Sequence, residues 1–222
     1  MAQSRGRILY LSTRKVDEDF GKIKPSLGRR IFGPVLQVLG LVTVTLPYAQ
    51  IKVAVPKEDR SDIQKLDAVW KALVKAGEVG TIDEPRAFFY GRCRMRYQAF
   101  REINPPILYL TGETDRSVLA LGGALKHAQL SVVATAPEDA TIAMFETDVV
   151  RTLAQLQGVQ ADEHTPDDQW IADVMEIHLY SSGSRIECEF LAERERWSQS
   201  SPLSAEKNVL LGSPLFVTYC FS

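Results

Sequence analysis

Cysteine is scarce in this chain: three in 222 residues, an odd number with no paired spacing. That excludes a disulfide-framed secreted scaffold and any Cys-x-x-Cys metal or redox motif. Cys93, Cys188 and Cys220 each sit in an apolar or alternating run, where a thiol behaves as a small buried hydrophobe. Neither sign of charge dominates, since 26 Lys and Arg stand against 28 Asp and Glu for a formal net charge of −2. Such a balance argues against nucleic acid as a partner, which asks for a basic excess. No apolar run reaches the roughly 20 residues that span a bilayer. The longest, residues 31–46, is interrupted by Gly33-Pro34 and Gly40. Near the N-terminus a short apolar run, residues 8–11, meets charges at once. It reads as a strand, not a secretory signal, and the expected compartment is the reducing cytoplasm.

The usual chemical fingerprints are missing as well. There is no GxGxxG and no GxxxxGK[ST], so no nucleotide cofactor is expected. His164 and His178 lack HxH, HExxH or Cys/His spacing, and no metal is expected. Ser213, in LGSPL, lacks the GxSxG elbow of a hydrolase nucleophile. Asp17, Glu18 and Asp19 read as an exposed charged turn.

What is present is strand-forming sequence in hairpins. Residues 7–13 (RILYLST) are nearly continuous in apolar side chains and predict a central strand. Residues 15–23 read as a short helix or turn. Residues 42–46 and 50–55 predict two strands about Pro47, because Val, Thr and Ile fit a pleated surface. Residues 61–76 predict a helix with Ile63, Leu66, Val69, Trp70, Leu73 and Val74 on one stripe, stopped by Gly77. Residues 86–100 predict a long strand, and residues 106–110 and 117–121 a hairpin turning at 112–115. Gly122-Gly123 are expected to bend its second arm. A second helix is expected over residues 137–156, with Ile142, Phe145, Val149, Leu153 and Leu156 inward. Residues 158–168 read as a loop, 175–180 and 185–192 as another hairpin, 197–207 as a Ser-rich loop, and a terminal strand is expected from Leu215.

Strands outnumber helices and mostly come in hairpins. The predicted fold is therefore α+β: a mostly antiparallel sheet packed against two main helices. At this length, residues 1–222 are expected to form a single domain.

One strand carries a chemical bias. Alternation puts Phe88, Tyr90, Arg92, Arg94 and Arg96 on one face, with Phe89, Cys93, Met95 and Tyr97 on the other. Guanidinium groups beside an aromatic make Tyr90, Arg92, Arg94 and Arg96 candidate ligand-binding residues for an anionic group. The strand IECEFLAERE offers the structural alternative. Glu187, Glu189, Glu193 and Glu195 share a face and can pair with the arginines. The run LGGALKH adds Lys126 as a further candidate ligand cation and His127 as the one candidate acid/base.

Four stretches carry a resemblance: residues 10–17 (YLSTRKVD), 79–97 (VGTIDEPRAFFYGRCRMRY), 107–127 (ILYLTGETDRSVLALGGALKH) and 210–217 (LLGSPLFV). Together, and in this order, they resemble a bacterial, mainly actinobacterial, family catalogued as a domain of unknown function. The resemblance implies a bacterial cytoplasmic protein and no established activity. Some families of this kind accompany effector proteins in bacterial defence. The family pattern has a small hydroxyl residue where this chain has Ala124, so a Ser-His pair is not available before His127.

Three functional expectations follow. The first is a non-enzymatic binding or adaptor module that engages a protein partner or a small anionic ligand. The second is a small hydrolase or transferase for a phosphorylated substrate, with His127 as acid/base and Arg94, Arg96 or Lys126 holding charge. The third is a structural subunit, for which a symmetric homo-oligomer is the default assembly.

Overall fold

The computed structural model describes residues 5–23, 41–46, 49–54, 60–129, 147–156, 158, 167–181, 185–199 and 207–220. In chain order the elements are β1 (Arg5–Leu11), α1 (Thr13–Ile23), β2 (Leu41–Leu46), β3 (Ala49–Ala54), α2 (Arg60–Ala76), the two-residue β4 (Val79–Gly80), β5 (Phe88–Phe100), β6 (Ile107–Glu113), β7 (Ser117–Ala124), a 3-10 turn at Leu125–His127, α3 (Thr147–Leu156), α4 (Asp167–Tyr180), β8 (Ile186–Ser198) and β9 (Asn208–Cys220).

The expected, mostly antiparallel sheet closes into a barrel. β5, β6 and β7 form an antiparallel meander, β8 returns to the free side of β5, and β9 inserts between β8 and β7. Only the β7–β9 pairing is parallel within the ring. The spatial order β8-β5-β6-β7 is a Greek key, and its closure through β9 gives the connectivity of an OB-type five-stranded barrel. Outside the ring, β1 pairs antiparallel with the second half of β9, β3 lies parallel to β1, β2 pairs with β3, and β4 adds to β5. The fold is thus α+β, but its sheet is curved onto itself and includes parallel pairs.

Sequence alternation explains the closure. Phe89, Cys93 and Met95 of β5 meet Leu108, Leu110, Leu119, Leu121, Cys188, Phe190, Leu210 and Val217 in one buried cluster, the barrel lumen. A lumen this narrow needs small residues where large ones cross. Gly212 is one: a Cβ there would come within 2.5 Å of the Phe89 ring.

Two helical layers cover the outside. α1 and α2 bring Val16, Ile63, Leu66, Val69 and Trp70 against Ile8, Leu11, Tyr90, Leu191, Leu215 and Phe216. α2 ends as its sequence predicts, with Gly77 at φ 72°. The amides of Gly77 and Glu78 bond the carbonyls of Val74 and Leu73 at 3.1 and 3.0 Å, a Schellman closure. Val74, expected inside, is exposed. On the other flank, α3 and α4 bring Val150, Leu153, Trp170, Ile171, Val174 and Met175 against Ile107, Tyr109, Val118, Ala120, Val209 and Leu211.

Two elements depart from expectation, and a third is described only in part. Residues 175–180 are the last turns of α4, not a strand. The alternation of MEIHLY hides a helical stripe that begins five residues earlier: Trp170, Ile171, Val174, Met175 and His178 are all buried. The chain therefore has four helices among the described residues, not two main ones. α3 starts at Thr147, inside the expected helix of residues 137–156. Residues 130–146, which include Ile142 and Phe145, lie outside the described residues, and Leu156 is exposed. Finally, β9 begins at Asn208 and runs through Pro214. Pro214 has no N–H, and it falls where one edge of β9 passes from β7, paired up to Gly212, to β1, paired from Phe216.

Candidate functional site

The outward face of β5 does not present its four candidates alike. Tyr90 is 7% exposed and lies beneath α2, with its ring 5.3 Å from that of Trp70. Its hydroxyl donates to a carboxylate oxygen of Glu189. Glu189 is 1% exposed, its second oxygen has no partner among the described residues, and burial pushes its carboxyl up to about 7. Arg92 is exposed and its Nε donates to Glu187 at 3.0 Å. Arg94 is exposed and stands opposite Glu187 in the β5–β8 register. Arg96 donates from Nε to the Leu179 carbonyl at 2.7 Å, and Arg185 reaches the same oxygen at 3.1 Å. These two guanidiniums satisfy an orphan carbonyl at the negative end of α4. Glu193 and Glu195 turn to α1 instead, where the buried Lys15 ammonium lies 2.5 and 3.6 Å from their carboxylates. Barrel curvature thus distributes the two ladders among several partners.

Lys126 and His127 lie elsewhere, in a corner built by three of the four stretches that carry the family resemblance. The 3-10 turn is tied down by Leu125, whose amide bonds the Pro106 carbonyl at 2.9 Å, and by Gln129, whose amide bonds Leu9 at 2.9 Å. Ser12, which leads into α1, donates its amide to the Leu215 carbonyl at 2.9 Å. Between these segments the Tyr10 ring meets the His127 imidazole edge-on, centroids 5.9 Å apart. The Tyr10 hydroxyl is bonded to the Ser12 side chain and the Ala124 backbone, and burial raises its phenol well above the usual range. It occupies the space a side chain at position 123 would need, so only glycine fits there.

His127 is held neutral. Burial, then the positive charges of Lys126 and Arg14, push its imidazole down to about 4. Among the described residues, both charges that act on it are positive. α1 adds the partial positive charge of its N-terminus and has no acidic residue in its first turn. Arg14 also makes a 3.5 Å ion pair with Glu18, between partly exposed side chains.

The seam and the corner are separate. Arg96 pairs across to Thr111, whereas the 3-10 turn is anchored at Pro106. At about 3.3 Å per residue, those two points on the β6 segment are roughly 16 Å apart. Arg94 and Arg96 therefore stand apart from His127. Sequence reasoning missed Tyr10, Ser12 and Arg14, although all lie in the stretch YLSTRKVD.

The other residues that drew attention have structural surroundings. His178 is buried, with Nδ1 2.6 Å from the Thr111 hydroxyl and its ring 4.9 Å from Tyr109. Burial and Arg96 push it down to about 4. Ser213 is buried in β9. Asp17, Glu18 and Asp19 lie on α1, and Asp19 is buried beside Lys22 at 2.9 Å. His164 lies outside the described residues. Among the described residues no three His, Cys, Asp or Glu side chains are grouped to hold a metal ion. No described helix is long and apolar enough to cross a membrane.

OB-type barrels take ligands on the outer face of their second and third strands. Here that face, β6 and β7, lies under α3 and α4. Comparison with curated proteins and with solved structures gave no match. A family model does match, over residues 8–220, nearly the full length described above, and the chain accordingly belongs to the family of unknown function DUF7019.

Proposed function

We propose that this chain is a non-enzymatic binding module that takes an anionic group at the Tyr10–His127 corner. The group is carried by a small ligand or by an acidic segment of a partner protein. The observation that carries the reading is the joint action of Arg14 and Lys126, from two distant segments, on one half-buried imidazole. An anion placed there meets Lys126, Arg14 (whose ion pair with Glu18 is partly exposed) and a helix N-terminus, with no described carboxylate acting on His127. Arg14 also pairs with Glu18, as Arg92 on the seam pairs with Glu187 and Arg96 with a carbonyl; what distinguishes the corner is that two cations act on one imidazole. The covered β6–β7 face and the net charge of −2 both speak against an oligonucleotide ligand. The family resemblance extends the proposal to a bacterial cytoplasmic, defence-associated system.

The test is calorimetric titration with inorganic phosphate and sulfate at fixed ionic strength. Arg14→Gln combined with Lys126→Gln should weaken binding at least tenfold, about 1.4 kcal/mol. Arg92→Gln combined with Arg94→Gln should change it less than twofold. The reverse ranking would move the site to the seam, and no binding by the unmodified protein would end the anion reading.

A second reading draws on the same neutral imidazole. As a general base, His127 would act on a phosphorylated substrate held by Lys126. His127→Gln should then abolish phosphomonoester turnover while sparing phosphate binding. If the unmodified protein has no turnover to lose, the binding reading stands alone.

A further inference from the structure

We infer that Cys93 and Cys188 form a latent cross-strand disulfide inside the barrel, an oxidation site on the ladder that closes it. The two residues are direct register partners of the antiparallel β5–β8 pair. Both are buried, neither is bridged, and both belong to the lumen cluster. Their pairing type follows from a neighbouring bond. The Arg194 amide donates to the Ala87 carbonyl at 2.9 Å, one step beyond the Phe88–Glu193 pair. Counting inward by twos, Cys93 and Cys188 are also a hydrogen-bonded pair, for which the Cα separation is about 5.5 Å. That lies within the range disulfides span, although the two Cβ atoms must approach by about 1 Å. The bridge is therefore strained and readily reduced.

The Cys93 thiol rests on the β6 side of β5 and must turn away from it to reach Cys188. A Cβ at Gly112 would lie 2.9 Å from the Cys93 sulfur, so the thiol rests over a glycine. From there it turns about χ1 to face Cys188.

The oxidant is hydrogen peroxide. It transfers an oxygen atom to the Cys93 sulfur and leaves as water, giving a sulfenic acid. The Cys188 sulfur then attacks the Cys93 sulfur, the S–O bond breaks, and the departing hydroxide takes the Cys188 proton. Two thiols lose two electrons and two protons, and hydrogen peroxide becomes two waters. Burial, then Glu187, pushes the Cys93 thiol up to about 12, which makes the reaction slow.

The test treats the folded full-length protein, in a Cys220→Ser background, with hydrogen peroxide. Non-reducing peptide mapping should find the 93 and 188 peptides joined within one chain, two hydrogens lighter, and separated again by dithiothreitol. The initial rate should rise about tenfold per pH unit between pH 7 and 9, as the thiolate fraction does. The same treatment in guanidinium shows that both thiols can react. If they do so there, while the folded protein stays reduced or gives only sulfinic acid or dimers, the inference fails. Mapping the unmodified chain gives the same answer should the Cys220 variant not fold, because a 93–188 linkage is distinguishable from any linkage through Cys220.

Discussion

The β5 seam and the Tyr10–His127 corner are both basic, but their charges have opposite settings. On the seam the cations meet partners one by one: Arg92 has Glu187, Arg96 has the end of α4, and Arg94 faces Glu187 across the ladder. At the corner, where Arg14 also has Glu18, burial and then Lys126 and Arg14 together keep a single imidazole uncharged. A row of arginines in a sequence is thus a weak sign of an anion site, because a neighbouring strand can answer it. Cations gathered from separate segments around a group kept neutral are a stronger one.

The largest effect should come from breaking the corner alone. Gly123→Ala sets a methyl group against the hydroxyl of Tyr10, a ring that is itself 3% exposed and has little room to retreat. Overpacking of this kind costs about 2–3 kcal/mol. Urea unfolding should show that loss, and phosphate binding should fail in the folded fraction while the Arg92–Glu187 pair persists. A Gly123→Ala protein of unchanged stability would mean that Tyr10 is not fixed where the corner needs it.

Next in size is a difference in pH dependence, with opposite signs in the two regions. Glu189, beneath the seam, has its carboxyl raised to about 7 by burial. The folded protein therefore holds that proton more tightly than the unfolded chain, whose carboxyl titrates near about 4.3. Its contribution is complete below the unfolded value and is lost as pH rises through about 7. His127 behaves inversely, being lowered to about 4. Its contribution is present above the unfolded value of about 6.5 and is lost as pH falls toward the folded one. Between pH 5 and 8, Glu189→Gln should gain about 2 kcal/mol on the unmodified protein as pH rises. Across the same interval His127→Gln should gain about 2 kcal/mol as pH falls. Parallel slopes in the two variants would show that one of these side chains is not buried as described.

The contrast between the regions also shows what the sequence could disclose. Alternation in FFYGRCRMRY placed the arginines outward and Phe89, Cys93 and Met95 inward, because a strand in a barrel wall still has two faces. The hairpin of β6 and β7 was equally legible from its turn residues, Gly112 to Asp115. The acidic face of IECEFLAERE did point to the β5 arginines, and β8 pairs with β5; closure was not legible, since nothing local says that β9 will take the other edge of β8. The corner was hidden for the same reason. Tyr10 and His127 are over a hundred positions apart, and the bridge between Tyr10 and Ala128, with the Gln129–Leu9 hydrogen bond, brings them together. Lys126 could be noticed beside His127, but Arg14 joins it only through the docking of α1.

The smallest effect should sharpen the comparison most directly. Arg92 and Glu187 form a 3.0 Å pair with side chains 50% and 34% exposed. A double-mutant cycle with Arg92→Ala and Glu187→Ala should give a coupling below about 1 kcal/mol, smaller still in high salt. Small as it is, that coupling separates two accounts of the seam. If Arg92 serves Glu187, the cycle is positive in stability, and adding phosphate leaves it unchanged, because the anion does not compete for a guanidinium already in use. If Arg92 and Arg94 instead hold an anion, phosphate should erode the coupling while stabilising the Glu187→Ala protein, whose released Arg92 is then free to bind. The first outcome leaves the corner as the anion site; the second would transfer that role to β5.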